Sequence, residues 1–190
     1  MKPAIENSSA RAVCLFSTIL AVASCGAESN GSSGLSGEIH ACEIAPASLV
    51  SQIFSKAVTD ASASLETANG KTAFSQCSYR FDGGGLGLSV QIRRSGSKIG
   101  VSRQADANEA RKRNDSLGVG EDIAVAIEHG TDIDSLGNLA YDFDDNGNYQ
   151  QLVVYWKDHY SLAIISFGGD SASEMAAARK ELAKHVVASL

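Results

Sequence analysis

Aromatic residues make up only 6% of this 190-residue chain, so its core has to be mainly aliphatic. Basic residues are also few, 16 against 22 acidic ones, for a formal net charge of −6. Nucleic-acid binding needs a basic footprint and finds none here. Nor is there a polybasic patch to attract anionic lipid. The sequence holds no G-x-S-x-G, H-E-x-x-H or C-x-x-C. Its four histidines, His40, His129, His159 and His185, are spread without ligand spacing, and nothing points to a metal or a cofactor. The longest apolar run, Ala12 to Ala23, is about half the ~20 residues that a membrane-spanning helix requires. What remains is ordinary for a globular chain: 44% hydrophobic residues, enough for one domain plus a targeting segment.

That apolar run sits in a segment with the three parts of an export signal. Lys2 and Arg11 form a positive start diluted by Glu6, the apolar stretch follows, and the small residues Ala23 and Ser24 precede Cys25. Val22-Ala23-Ser24-Cys25 resembles the lipobox of bacterial lipoprotein precursors: an aliphatic residue, two small ones, then cysteine. The resemblance implies that residues 1–24 are removed and that Cys25 becomes the diacylated first residue. The competing expectation is ordinary secretion with Cys25 left as a thiol. Two or more acyl chains anchor stably where one is marginal, at about 0.8 kcal/mol per buried CH₂. No Asp stands at the second mature position, which by the same resemblance favours the outer membrane. In a cell without one, the outer face of the plasma membrane takes its place.

Gly26 to Glu38 is Gly/Ser-rich and reads as a flexible tether. Its 13 residues give about 20 Å of root-mean-square reach. The segment before Cys25 carries Lys2 and Arg11 against Glu6, a net +1, which leaves −7 on the remainder of the −6 chain.

Four cysteines occur. With Cys14 in the signal and Cys25 acylated, Cys42 and Cys77 are left in an oxidising compartment and are expected to pair. A metal site would need neighbouring ligands that the sequence lacks. Thiol catalysis has one hint only, His40 two residues before Cys42.

Along residues 39–190, Pro46 and the spacing of Leu49, Val50, Ile53, Phe54 and Ala57 predict a helix over 46–58. Thr59 to Thr72 is Ala/Ser-rich and closes at Asn69-Gly70, a turn signal. Alternation predicts strands over 73–81 and 86–93, joined as a hairpin by Asp82 to Gly85. Ile99 and Val101 suggest a short third strand. Residues 105–115 read as an exposed helix, broken by Leu117 to Gly120. The alternation of Ile123, Val125 and Ile127 predicts a strand, and Leu139, Tyr141 and Phe143 begin another. Two apolar runs, 149–156 and 160–167, flank Lys157-Asp158-His159 as a hairpin. Ser171 and Glu174 have capping-box spacing, and a helix over 172–188 follows. The expected fold is α+β: a mainly antiparallel sheet of about six or seven strands, flanked by N-terminal and C-terminal helices.

Several short motifs weigh more as structure than as chemistry. Gly83 to Gly87 precedes a strand, whereas a phosphate cradle needs a helix. Asp142 to Asn148 begins like a calcium loop, but Val153 stands where the bidentate Glu belongs, and Asn146-Gly147 is a hairpin turn. Ser95-Gly96-Ser97-Lys98 matches S-x-x-K without its partner motifs. Arg111-Lys112-Arg113 reads as a solvated helix face.

The region 39–190 resembles small bacterial lipoproteins with a PsbP-like fold, a group best known from actinobacteria. The features that carry the resemblance are Ala41-Cys42-Glu43-Ile44, Gln76-Cys77-Ser78-Tyr79, Leu117 to Asp122, and the closing hairpin and helix. It implies the Cys42–Cys77 disulfide and a helix-flanked antiparallel sheet, and it carries no catalytic residues. The functional expectation is a membrane-anchored envelope lipoprotein, non-enzymatic, binding an envelope protein or lipid through an exposed apolar groove or patch. A hydrolase of envelope material would instead need a nucleophile beside one of the histidines. A purely structural envelope role is the third expectation.

Overall fold

The structure is a computed structural model that describes residues 39–68, 72–83, 85–113, 119–145, 149–168 and 172–190. The export segment, Cys25 and the tether lie outside the described residues. So do the Asn69-Gly70 turn, Asn146-Gly147, and Ser171 of the capping box.

The described residues open with two short helices, α1 (Ala41–Ile44) and α2 (Ala47–Phe54). Strands β1 (Val58–Ala68), β2 (Thr72–Phe81) and β3 (Gly87–Ser95) follow. A helical pair, α3 (Arg103–Arg113) and α4 (Val119–Glu128), comes next. Strands β4 (Thr131–Asp132), β5 (Leu139–Asp145), β6 (Tyr149–Trp156) and β7 (Tyr160–Phe167) then lead to α5 (Ala172–Ser189). The seven strands form one sheet in the order β1-β2-β3-β7-β6-β5-β4, antiparallel at every pairing. This is the expected α+β class, with helices before and after the described strands. Among the described residues, no helix is long and apolar enough to cross a membrane.

Three sequence expectations are corrected, and one stretch without an expected element gains one. The predicted helix 46–58 ends at Phe54, because Ser55 takes a left-handed conformation (φ 51°) that closes α2. The Ala/Ser-rich stretch after it is the edge strand β1. Its residues 59–63 are exposed, so no alternation of apolar residues was required of it. Ile99 and Val101 form no strand: β3 is already paired on both sides, by β2 and β7, and the chain leaves the sheet there. Ile123, Val125 and Ile127 lie on helix α4. Five alternating residues fit either period, and the deciding members are alanines: Ala124 is fully buried while Val125 is 40% exposed. Glu121 and Asp122 in the first turn suit the positive end of that helix.

The main core lies between one face of the sheet and α1, α2 and α5. Ala73, Ser75, Cys77, Tyr79 and Phe81 of β2 point into it, beside Leu88, Val90 and Ile92 of β3 and Leu162 and Ile164 of β7. The Tyr79 hydroxyl donates to the Ala45 carbonyl at the end of α1, and the Ser75 hydroxyl accepts from the Ala41 amide at 2.8 Å. Burial pushes the Tyr79 phenol well above the ordinary tyrosine range. At the far end of the sheet, Gly168 (φ +90°) follows β7, and a Cβ there would fall on the carbonyl of Gly85. Only glycine allows that backbone approach.

The opposite face is covered unevenly. α4 packs on β5, and a second, smaller core of Ala107, Ala124, Ile127, Tyr141, Phe143 and Val153 fills the space between. No described helix packs over β1, β2 and β3 on this side.

Candidate functional site: a cleft beside the helical pair

The helical pair is held to the sheet by two charged side chains of α3. Arg103 donates to the Gly130 carbonyl at 2.6 Å, just past the end of α4, and pairs with Asp132 on β4. Its guanidinium lies 5.7 Å from the Tyr141 ring centroid, a cation–π distance. Asp106 accepts hydrogen bonds from two tyrosines of the sheet, Tyr141 at 2.6 Å and Tyr155 at 2.7 Å. Burial first, and then the Asp106 contact, push the Tyr141 phenol far above its usual range, so it stays protonated and donates.

Arg111 fastens α3 to α4. It donates to Glu121 at 2.9 Å and to Glu128 at 2.8 Å, one near each end of α4. The basic run 111–113 is therefore not a free solvated face, since its first member is an interhelical clamp. The bonds from Arg111 and then Gln104 hold the Glu128 carboxyl down to about 2, against an ordinary value of 4.5. A depressed carboxylate contributes stability above its unfolded pKa, and that contribution is lost as pH falls through the folded value. The α3–α4 pair should thus loosen between pH 4.5 and about 2. The Glu128 carboxyl carbon shift, followed by NMR titration, should show its midpoint near the lower value. A midpoint above 4 would mean that the clamp is not formed in solution.

Between this helical pair and the open side of the sheet runs a cleft of about 660 Å³. Its floor follows from strand register. Phe74, Arg93, Ser161 and Tyr155 stand in one row across β2, β3, β7 and β6. Gln91, Ala163, Val153 and Tyr141 stand in the next. Gln151 and Phe143 form the row after that, with Tyr149 beyond. Ile123 and Ile127 of α4 make the apolar wall, and Asp106, Glu109 and Ala110 of α3 the polar one. Of the twelve aromatic residues in the chain, five line this cleft. It mixes polar and apolar side chains, unlike the apolar groove that the sequence led us to expect.

The residues singled out from the sequence go elsewhere. Cys42 and Cys77 are joined in a disulfide that fastens α1 to β2, with Cα atoms 5.1 Å apart, on the side of the sheet away from the cleft. Of the Asp142–Asn148 segment, residues 142–145 are the end of β5 and 146–148 lie outside the described residues. Asp142 is already bound through both carboxylate oxygens by Arg179, and β5 and β6 pair as far as Asp145 and Tyr149. Among the described residues, no group of three His, Cys, Asp or Glu side chains could hold a metal ion. Ser95 ends β3 and the chain bends at Gly96 and Ser97, after which Lys98 pairs with Asp158 at 3.0 Å. None of the four histidines lines the cleft. His129 lines a separate hollow beside Arg179, and the His159 ring meets the Ser95 carbonyl at 3.2 Å.

Sequence reasoning missed Asp106 and the tyrosines around it. The usable signal was that Tyr149, Val153 and Tyr155 share one side of β6 with an otherwise scarce residue type, which placed aromatic rings on the face away from the main core.

Comparison with known proteins finds no matching family model, no matching curated protein and no matching solved structure. The fold and the cleft define the chain's class: a helix-flanked antiparallel sheet with one half-open face.

Proposed function

We propose that this chain is a non-enzymatic binding or accessory protein, tethered to a cell-envelope membrane by acyl chains on Cys25, and that the cleft beside α3 and α4 is its binding surface. The observation that supports this reading most is the concentration of five of twelve aromatic side chains in one open cleft. Tyr141 and Phe143 are buried at its base, while Phe74, Tyr149 and Tyr155 stay half-buried, with ring surface left for a ligand. The size of the cleft lies within the ~300–1,000 Å³ common to ligand sites. The resemblance to small bacterial lipoproteins supports the same placement, and so does the lipobox. The tether would let an acidic domain work off the bilayer, with the cleft free to face a partner.

The anchor is tested by Cys25→Ala. The unsubstituted chain should incorporate labelled palmitate and sediment with membranes, whereas the variant should take up no label and be recovered in the soluble exported fraction. A variant that remains in the membrane fraction would sink the acyl-anchor reading.

A further inference from the structure

We infer that the ligand of the cleft is a short, uncharged oligosaccharide; this rests on the binding reading above and gives it a chemical class.

The polar groups of the floor carry the argument. The side-chain amides of Gln91 and Gln151 and the Arg93 guanidinium make no hydrogen bond or ion pair among the described residues. Gln91 and Gln151 lie two strands apart and one row along, so about 10 Å across and about 7 Å down the sheet. Each amide offers two donors and an acceptor, and the guanidinium offers a planar fork of donors. A sugar hydroxyl is both donor and acceptor, and a vicinal pair of them matches a planar amide or guanidinium. A pyranose ring also has an apolar C–H face, which suits the rings of Phe74 and Tyr149 at the two ends of the floor.

Other ligand classes fit less well. A lipid chain or other wholly apolar ligand would cover Gln91, Gln151 and Arg93 without giving them partners, at a cost of roughly 1–3 kcal/mol for each such group. A polyanion would meet Asp106 and Glu109 on the wall and a chain of net charge −6. A cation would meet Arg93 on the floor, while Asp106 already spends both oxygens on tyrosines. An extended peptide adds to a sheet by its edge, and β3, β7 and β6 are paired on both sides. An uncharged ligand rich in hydroxyls satisfies every group named.

The test uses the full chain in detergent micelles and three probes: cellotetraose, maltotetraose and the tetramer of N-acetylglucosamine. Titration calorimetry should show saturable binding of at least one. Amide shift mapping should place it on the Gln91 and Gln151 strands. Gln91→Ala and Gln151→Ala should each weaken binding about three- to tenfold, the worth of a neutral hydrogen bond, with unchanged thermal melting. Lys184→Ala, on the exposed face of α5, should leave binding unchanged. The inference is overturned if no probe binds at millimolar concentration, or if both glutamine variants bind as the parent does. It is overturned equally if lipid vesicles or a peptide library, and not the sugars, shift those amides. Hydrogen exchange in an envelope extract separates the two levels. Protection of β3 and β6 amides without sugar binding removes the oligosaccharide and leaves the binding reading standing. No protection at all removes both.

Discussion

Arg179→Ala should destabilise the domain by about 3–5 kcal/mol, the usual cost of removing one partner from a buried ion pair. Arg179 projects from α5 against the covered face of the sheet and is 2% exposed. All five of its N–H donors are used. Asp142 accepts three of these bonds, Gln150 one at 2.8 Å and Ser166 one at 2.9 Å. Truncation leaves a largely buried carboxylate without its cation and strands two further acceptors. Against a total stability that is ordinarily about 5–15 kcal/mol, such a loss should appear as a large drop in the urea midpoint with an unchanged slope.

The pH dependence of that loss gives a second check. Burial pushes the Asp142 carboxyl up, and the bonds and charge of Arg179 pull it back down. Without Arg179 only the upward effects of burial and of the Asp144 charge are left, so the folded-state pKa rises further above the unfolded value near 3.9. A carboxyl raised in the folded state is favoured there in its protonated form. The penalty at neutral pH should therefore shrink as pH falls through that raised value. Replacing both partners by apolar residues, Arg179→Met with Asp142→Leu, should recover most of the loss, because no charge is then left buried. A cost below about 1 kcal/mol for Arg179→Ala at pH 7 would contradict the buried pair.

The difference between what the sequence revealed and what it concealed is one of range. The β6–β7 hairpin was legible because two apolar runs flank a polar turn, and all of that information lies within residues 149–167. Helix α5 was legible from Met175, Ala178, Leu182 and Val186, which recur at helical spacing and are buried or nearly so. Arg179 stands on that same stripe. A lone cation among buried positions was the available sign, but its partner Asp142 lies 37 residues earlier and no local pattern joins them. The cleft is hidden for the same reason: Asp106 is 35 residues from Tyr141 and 49 from Tyr155. Strand β1 went unassigned and helix α4 was misread, on different grounds. An exposed edge strand need not alternate, and alanine, which decides the buried face of α4, carries little hydrophobic signal.

Removing the disulfide by Cys42→Ala with Cys77→Ala should cost about 2–5 kcal/mol. The two cysteines are 35 residues apart, and cross-linking a loop of that length withdraws on the order of 3–4 kcal/mol of freedom from the unfolded chain. The loop encloses α2, β1 and most of β2, so the bond constrains a large share of the first half of the domain. Its local effect should be sharper still. α1 is only four residues long and has no side-chain cap at its start. A helix that short has no stability of its own. It is kept by the disulfide, by the Ser75 hydroxyl at its first amide and by the Tyr79 hydroxyl at its last turn. In the double variant, α1 amides should lose hydrogen-exchange protection before the sheet does. The cleft lies on the other side of the sheet and should keep its ligand affinity while the protein remains folded. A double variant within 1 kcal/mol of the parent, with α1 still protected, would show that the two hydrogen bonds suffice to hold the helix. Loss of cleft binding in step with loss of α1 would instead mean that the two faces of the sheet are coupled through β2 and β3.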